Sequence, residues 1–157
     1  MTKTVKEKER DKTILSATNI IRYILNIKNI ELKHKKRILN EMIWSITEAD
    51  GLTAEKRTGY KKKITYISKE VKEKRDKGDQ SIKGLIHDHV YQRKILVQKL
   101  LDNPRNTKSI LKKAIACIVT DKEHHRLHKV DKNIDGWKRY QKAKIQVFNT
   151  KNGRWKF

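Results

Sequence analysis

The chain has 157 residues, 40 of them Lys or Arg against 18 Asp or Glu, and carries a formal charge of +22. That length fits one domain with one core. The single cysteine, Cys117, excludes an intramolecular disulfide and a cysteine-built zinc site, and no apolar run approaches the roughly 20 residues of a membrane span. The N-terminus runs straight into charge without the apolar segment of a secretion signal, so the expected compartment is the cytoplasm. Charged residues make up 37% of the chain, against about 25% in an average domain. So large and one-sided a charge attracts polyanions, and each Lys or Arg that meets a phosphate releases condensed counterions. The expected partner is nucleic acid, with DNA favoured. The plainer reading of the same charge is a solvated basic surface.

The apolar residues fall at helical spacing, which predicts a folded chain despite the low hydrophobic content. Residues 1–12 are apolar-poor and read as a frayed end, and 13–157 read as one domain. Ile14, Ala17, Ile21, Ile24 and Leu25 predict a first helix over 13–28. Leu32, Leu39, Met42, Ile43 and Ile46 predict a second over 31–49, with Trp44 one residue off the stripe. Tyr60, Ile64, Ile67 and Val71 predict a third over 53–76. Its opposite face carries Lys61, Lys62, Lys63 and Lys69, which are candidate phosphate contacts. Together, 13–76 form a helical basic platform.

After the loop Asp76-Lys77-Gly78-Asp79 the pattern shortens. Residues 82–90 read as extended, and 93–101 as a helix stopped by Asp102-Asn103-Pro104. A further helix is expected over 107–115, then a β-branched strand at Cys117-Ile118-Val119. Thr120-Asp121-Lys122-Glu123 has the form of a capping box and predicts a helix carrying His124, His125, Leu127 and His128. Residues 137–140 predict one more helical turn, and 145–148 a last strand. The expected fold class is mainly α with a small β element, an α+β protein.

Five of the six histidines lie between positions 87 and 128. In a strand, His87 and His89 share one face and Asp88 takes the other. A His from the following helix and Asp88 from the strand supply one nitrogen and one oxygen ligand for a divalent ion, which leaves places for water and phosphate oxygens. A neutral His beside such an ion accepts a proton from the attacking water. The plainer readings are a polar strand end for His87-Asp88-His89 and a helix cap with solvated histidines for Glu123-His124-His125.

Asp88-His89-Val90, followed by an apolar strand and a helix opening with Glu123-His124, resembles the HNH, or ββα-metal, nuclease pattern of small phage and bacterial proteins. The resemblance covers 81–148, less than half the chain. It implies Asp88 and His124 as metal ligands and His89 as general base. Beside it, Arg93 and Arg126 are candidate clamps for a scissile phosphate, with Arg126 also a nucleic-acid contact. The implied cofactor is a divalent ion, Mg2+ first, with Mn2+ or Zn2+ as alternatives. The implied activity is a metal-dependent DNA endonuclease or nickase in a bacterial or phage-infected cell, compatible with a homodimer. The family's middle Asn, its zinc-binding cysteine pairs and the proline after the base have no counterparts here. The alternative is a non-catalytic DNA- or RNA-binding protein, a degenerate relative or a phage accessory factor. A third reading, an interfacial first helix acting at an anionic membrane, rests on Ile20, Ile21, Ile24 and Leu25.

Overall fold

The computed structural model describes residues 5–49 and 64–157. The chain divides into two compact units, each assembled from two separate stretches: Met1–Asp50 with Tyr91–Ile115, and Gly51–Val90 with Ala116–Phe157. The fold is α+β. None of the described helices is long and apolar enough to cross a membrane.

The first unit is helical. It holds α1 (Val5–Asn26), α2 (Leu32–Ala49), α4 (Arg93–Asp102) and α5 (Thr107–Leu111). Ile14, Ala17 and Ile21 from α1 meet Leu39, Ile43 and Ile46 from α2, and Leu96 and Leu100 from α4 close the cluster. The spacing of three and four residues puts each set on one helical face. Burying a side chain of this size stabilises the fold by about 1.5–3 kcal/mol. Most of the two expected stripes is thus the core; Ile24 is half-buried outside the cluster, and Leu32 is 56% exposed at the start of α2. Ile21 is fully buried, which removes it from any membrane-facing surface of α1. The first helix begins at Val5, ahead of the apolar stripe, so its first turns run through the charged segment. Arg10 donates to the carbonyl of Ala114 at 2.8 Å and ties this end down. After α4 the chain turns at Asn103, and Pro104 opens a short 3-10 turn before α5.

The second unit is a sheet with helices on both faces. Its strands are β1 (Tyr66–Ser68), β2 (Leu85–His89), β3 (Ala116–Thr120), β4 (Val147–Asn149) and β5 (Arg154–Trp155), in the order β2-β3-β1-β4-β5. β1 runs parallel to β3, and the other pairs are antiparallel. Every residue of β3 is buried, as a central strand covered on both faces requires. On one face, Val71 of α3 (Lys69–Asp76) packs on Ile67, Leu85, Ala116 and Ile118. The other face carries Asp88, which stands opposite Cys117 in the β2–β3 register.

The third helix expected over 53–76 is corrected here. Residues 53–63 lie outside the described residues, as do Lys61, Lys62 and Lys63. Tyr66–Ser68 is a strand, and the helix begins only at Lys69. The physical reason is pairing: Tyr66 and Ile67 find backbone partners in Cys117 and Ile118 on one side and in Asn149 and Phe148 on the other. Ser68 then accepts a hydrogen bond from the Val71 amide and caps α3. β2 and β3 form an antiparallel pair whose connection is the whole stretch Tyr91–Ile115 of the helical unit.

Candidate functional site

The site is set by how α6 (Asp121–Lys129) starts. Thr120 ends β3 and adopts extended backbone, and its hydroxyl accepts from the Glu123 amide at 3.3 Å. Glu123 Oε2 returns the bond by accepting from the Thr120 amide at 2.9 Å. The expected capping box is therefore complete. The same carboxylate oxygen accepts from the Ser68 hydroxyl at 2.5 Å, so one buried acid joins the starts of α3 and α6. Burial pushes the Glu123 carboxyl up, and the Ser68 and Thr120 bonds oppose that push. Glu123 acts as a cap through Oε2, and its other oxygen faces Arg126 at 3.8 Å.

With the helix start locked, the next residue projects toward β2. His124 Nε2 lies 3.7 Å from Asp88 Oδ1. Asp88 is buried, and its other oxygen, Oδ2, takes both of its hydrogen bonds. One comes from the Arg139 guanidinium and one from the Tyr140 hydroxyl at 2.5 Å. Both donors sit on α7 (Trp137–Lys142). Arg139 Nη2 also donates to the His89 carbonyl at 2.9 Å, so one guanidinium holds the side chain of Asp88 and the backbone after it. Gly136 precedes α7 at φ 67°, ψ −152°, a conformation essentially restricted to glycine. It lets the chain turn so that Arg139 and Tyr140 face the sheet.

The electrostatics follow from burial. Desolvation pushes the Asp88 carboxyl up, opposed by Arg139, the Tyr140 bond, His124 and His128. Desolvation pushes His124 down; Asp88 opposes this, while His128, Arg139 and His125 add to it. His124 is therefore biased toward the neutral imidazole, the form that binds metals. Cys117 is wholly buried beside Asp88 and Tyr140, and burial drives its thiol well above the usual range. It is the small buried hydrophobe expected of its sequence context.

A distance of 3.7 Å is too long for a hydrogen bond, for which the range is about 2.7–3.2 Å. It suits two ligands of one ion: donors at about 2.0–2.2 Å and subtending a roughly tetrahedral or wider angle stand about 3.4–3.8 Å apart. Asp88 Oδ1 and His124 Nε2 thus fit a divalent ion as an O,N pair. Among the described residues, no group of three or more His, Cys, Asp or Glu side chains converges as a ready ligand set.

Asp88 and His124 are the predicted residues that meet. His89 is the last residue of β2, and its ring lies 5.0 Å from that of His87, on the strand face opposite Asp88, as alternation requires. Arg93 belongs to the helical unit, where its guanidinium sits 4.9 Å from the Trp44 ring. Lys69 is exposed at the first residue of α3. Arg126 is exposed and engages Glu70 at 3.2 Å and Glu123 at 3.8 Å.

Three residues of the site were not among those predicted for it. Arg139 and Tyr140 stand about fifty positions from Asp88 along the chain, and nothing local marks them. The third, His128, packs edge-on against His124 at 4.4 Å, and the i, i+4 spacing on one helix could have pointed to it. On the same helix, His125 is exposed and its Nδ1 contacts the Asp121 carbonyl at 2.8 Å.

The fold and site define an α+β protein in which a buried, hydrogen-bonded Asp88 faces His124 at 3.7 Å, at the junction of an antiparallel strand pair and a capped helix. No protein-family model, curated protein or solved structure matches the chain.

Proposed function

We propose that this protein is a metal-dependent endonuclease or nickase of the ββα-metal kind, acting on DNA. The observation that carries the reading is the Asp88–His124 pair. A carboxylate is buried at a cost, anchored through one oxygen, and presents the other to an imidazole at a metal-compatible distance. Perturbed, paired groups of this kind concentrate at functional sites. Asp88 and His124 would hold the ion, which when bound would stabilise charge on the phosphate and the leaving oxygen. The imidazole nitrogen and the 3.7 Å separation suit Zn2+; Mg2+ or Mn2+, whose adjacent octahedral ligands stand about 3.0 Å apart, would draw the two side chains closer.

The chain's own residues do the rest. Arg139 and Tyr140 keep Asp88 Oδ1 aimed at His124. The general base of this reading is His89, at the end of β2; its ring stands on the strand face away from Asp88, so it takes the proton of the attacking water only if the strand end turns when DNA binds. As that proton leaves, the new P–O bond forms and the bond to the departing oxygen breaks. Lys69 and Arg126 contact the DNA backbone, with Lys61, Lys62 and Lys63 as further contacts.

Plasmid nicking tests this. Wild-type protein is expected to nick supercoiled DNA with Mg2+ or Mn2+ and to stop when the ion is chelated. His89→Ala should lose about 100-fold or more in rate while retaining DNA affinity. A second reading, a non-catalytic nucleic-acid-binding protein, is favoured by the His89 ring turning to the face away from Asp88. Salt-sensitive DNA retardation without cleavage under any metal would establish that reading instead.

A further inference from the structure

We infer that the groove between α6 and α7 is a binding track for the phosphodiester backbone of nucleic acid, and that Lys144 is held in an unfavourable backbone conformation to serve it. The inference rests on the nucleic-acid reading but not on cleavage. The groove lies within the sheet-bearing unit and encloses about 460 Å³. Arg126, Lys129, Lys142 and Lys144 line it, against one acid, Asp131. Val130 and Ile134 supply an apolar floor. Asp131 is occupied with its own turn: its carboxylate accepts from the Asn133 amide at 2.9 Å and its carbonyl from the Ile134 amide at 2.9 Å. The groove is therefore a concentration of cations whose one acid has a local structural task.

Lys144 is the second observation. α7 ends with paired reversed bonds, Lys144 amide to Gln141 carbonyl and Ile145 amide to Tyr140 carbonyl, both 3.0 Å. That is the Schellman ending, whose left-handed residue is usually glycine. Here it is Lys144 at φ 55°, the one non-glycine residue with positive φ among those described. A side chain there is disfavoured by contact of its Cβ with the backbone. The chain accepts that strain at a lysine that lines the groove. Phosphate oxygens spaced along a strand match cations spaced along such a wall, and the apolar floor accommodates the sugar faces.

The test uses the full chain, a labelled 20-base-pair duplex and a chelator, so that binding is read without cleavage. Anisotropy titrations at several salt concentrations compare Lys142→Gln/Lys144→Gly with Lys77→Gln/Lys83→Gln, which removes the same charge from exposed positions outside the groove. The groove pair should flatten the dependence of log affinity on log salt by about 2 and weaken binding by roughly tenfold at low salt; the outer pair should do neither. Lys144→Gly alone should raise Tm by about 2 °C while weakening binding. Equal effects of the two pairs would overturn the proposal, as would unchanged binding in Lys144→Gly. Groove-dependent flotation on anionic vesicles without duplex binding would also overturn it. A protein that binds through this groove yet cuts no DNA under any metal leaves the groove intact and overturns the nuclease reading alone.

Discussion

Replacing Arg139 by Met keeps most of the side-chain volume and removes the charge that faces Asp88. The pair is buried on both sides, at 9% and 7% side-chain exposure, so solvent screening offers little discount. Breaking a buried pair by removing one partner costs about 3–5 kcal/mol, because the other charge is left uncompensated. The Tyr140 bond and the nearby His124 remain, which places the expected loss near the lower end, about 3 kcal/mol. The lost bond to the His89 carbonyl adds to it. In a protein of this size that lowers Tm by roughly 6–12 °C.

The pH dependence sharpens the test. The Asp88 carboxyl is already raised above its ordinary value of 3.8 in the folded state. Its contribution is therefore favourable below 3.8 and is lost as pH rises through the folded value. Without Arg139 the folded value rises further, so the gap between variant and wild type should narrow as pH falls from 7 toward 4. Urea unfolding followed by far-UV circular dichroism at several pH values measures both quantities. A gap below 1 kcal/mol, or one that does not move with pH, would refute the view that Arg139 holds an ionised Asp88.

His124 titrates below the ordinary 6.5 in the folded state, chiefly through burial. The unfolded chain then binds more protons, and stability attributable to this group falls as pH drops from 6.5 through the folded value; proton NMR titration gives that value, and His124→Gln should flatten the slope. Thr120→Ala removes the hydroxyl half of the capping box and should cost about 1–2 kcal/mol, whereas Asp121→Ala, on the exposed side of the same turn, should cost much less. Gly136→Ala puts a Cβ at φ 67°, ψ −152° and should destabilise by about 1–3 kcal/mol; an unchanged midpoint would mean that α7 can be reached by another turn. Ile43→Ala empties a fully buried site in the helical unit and should cost about 2–5 kcal/mol by urea denaturation.

What could be read in advance was local. Ile14, Ala17 and Ile21, and then Leu39, Ile43 and Ile46, mark helix faces because their spacing matches the helical repeat. Thr120 and Glu123 mark a helix start because both halves of a capping box lie within four residues. The opposite directions of Asp88 and His89 follow from strand alternation alone. The tertiary structure decided what depends on partners far along the chain. Tyr66–Ser68 becomes a strand because β3 and β4 offer it backbone bonds from both sides, which outweighs the helical spacing of Ile64, Ile67 and Val71. Asp88 is fixed by Arg139 and Tyr140, 51 and 52 positions away, through a glycine turn whose purpose is visible only when the sheet is in place. His124 meets Asp88 rather than solvent because the capped helix start fixes its rotation against β2. Each of these depends on a buried polar group finding its partner once water is excluded, and no window of neighbouring residues contains that condition.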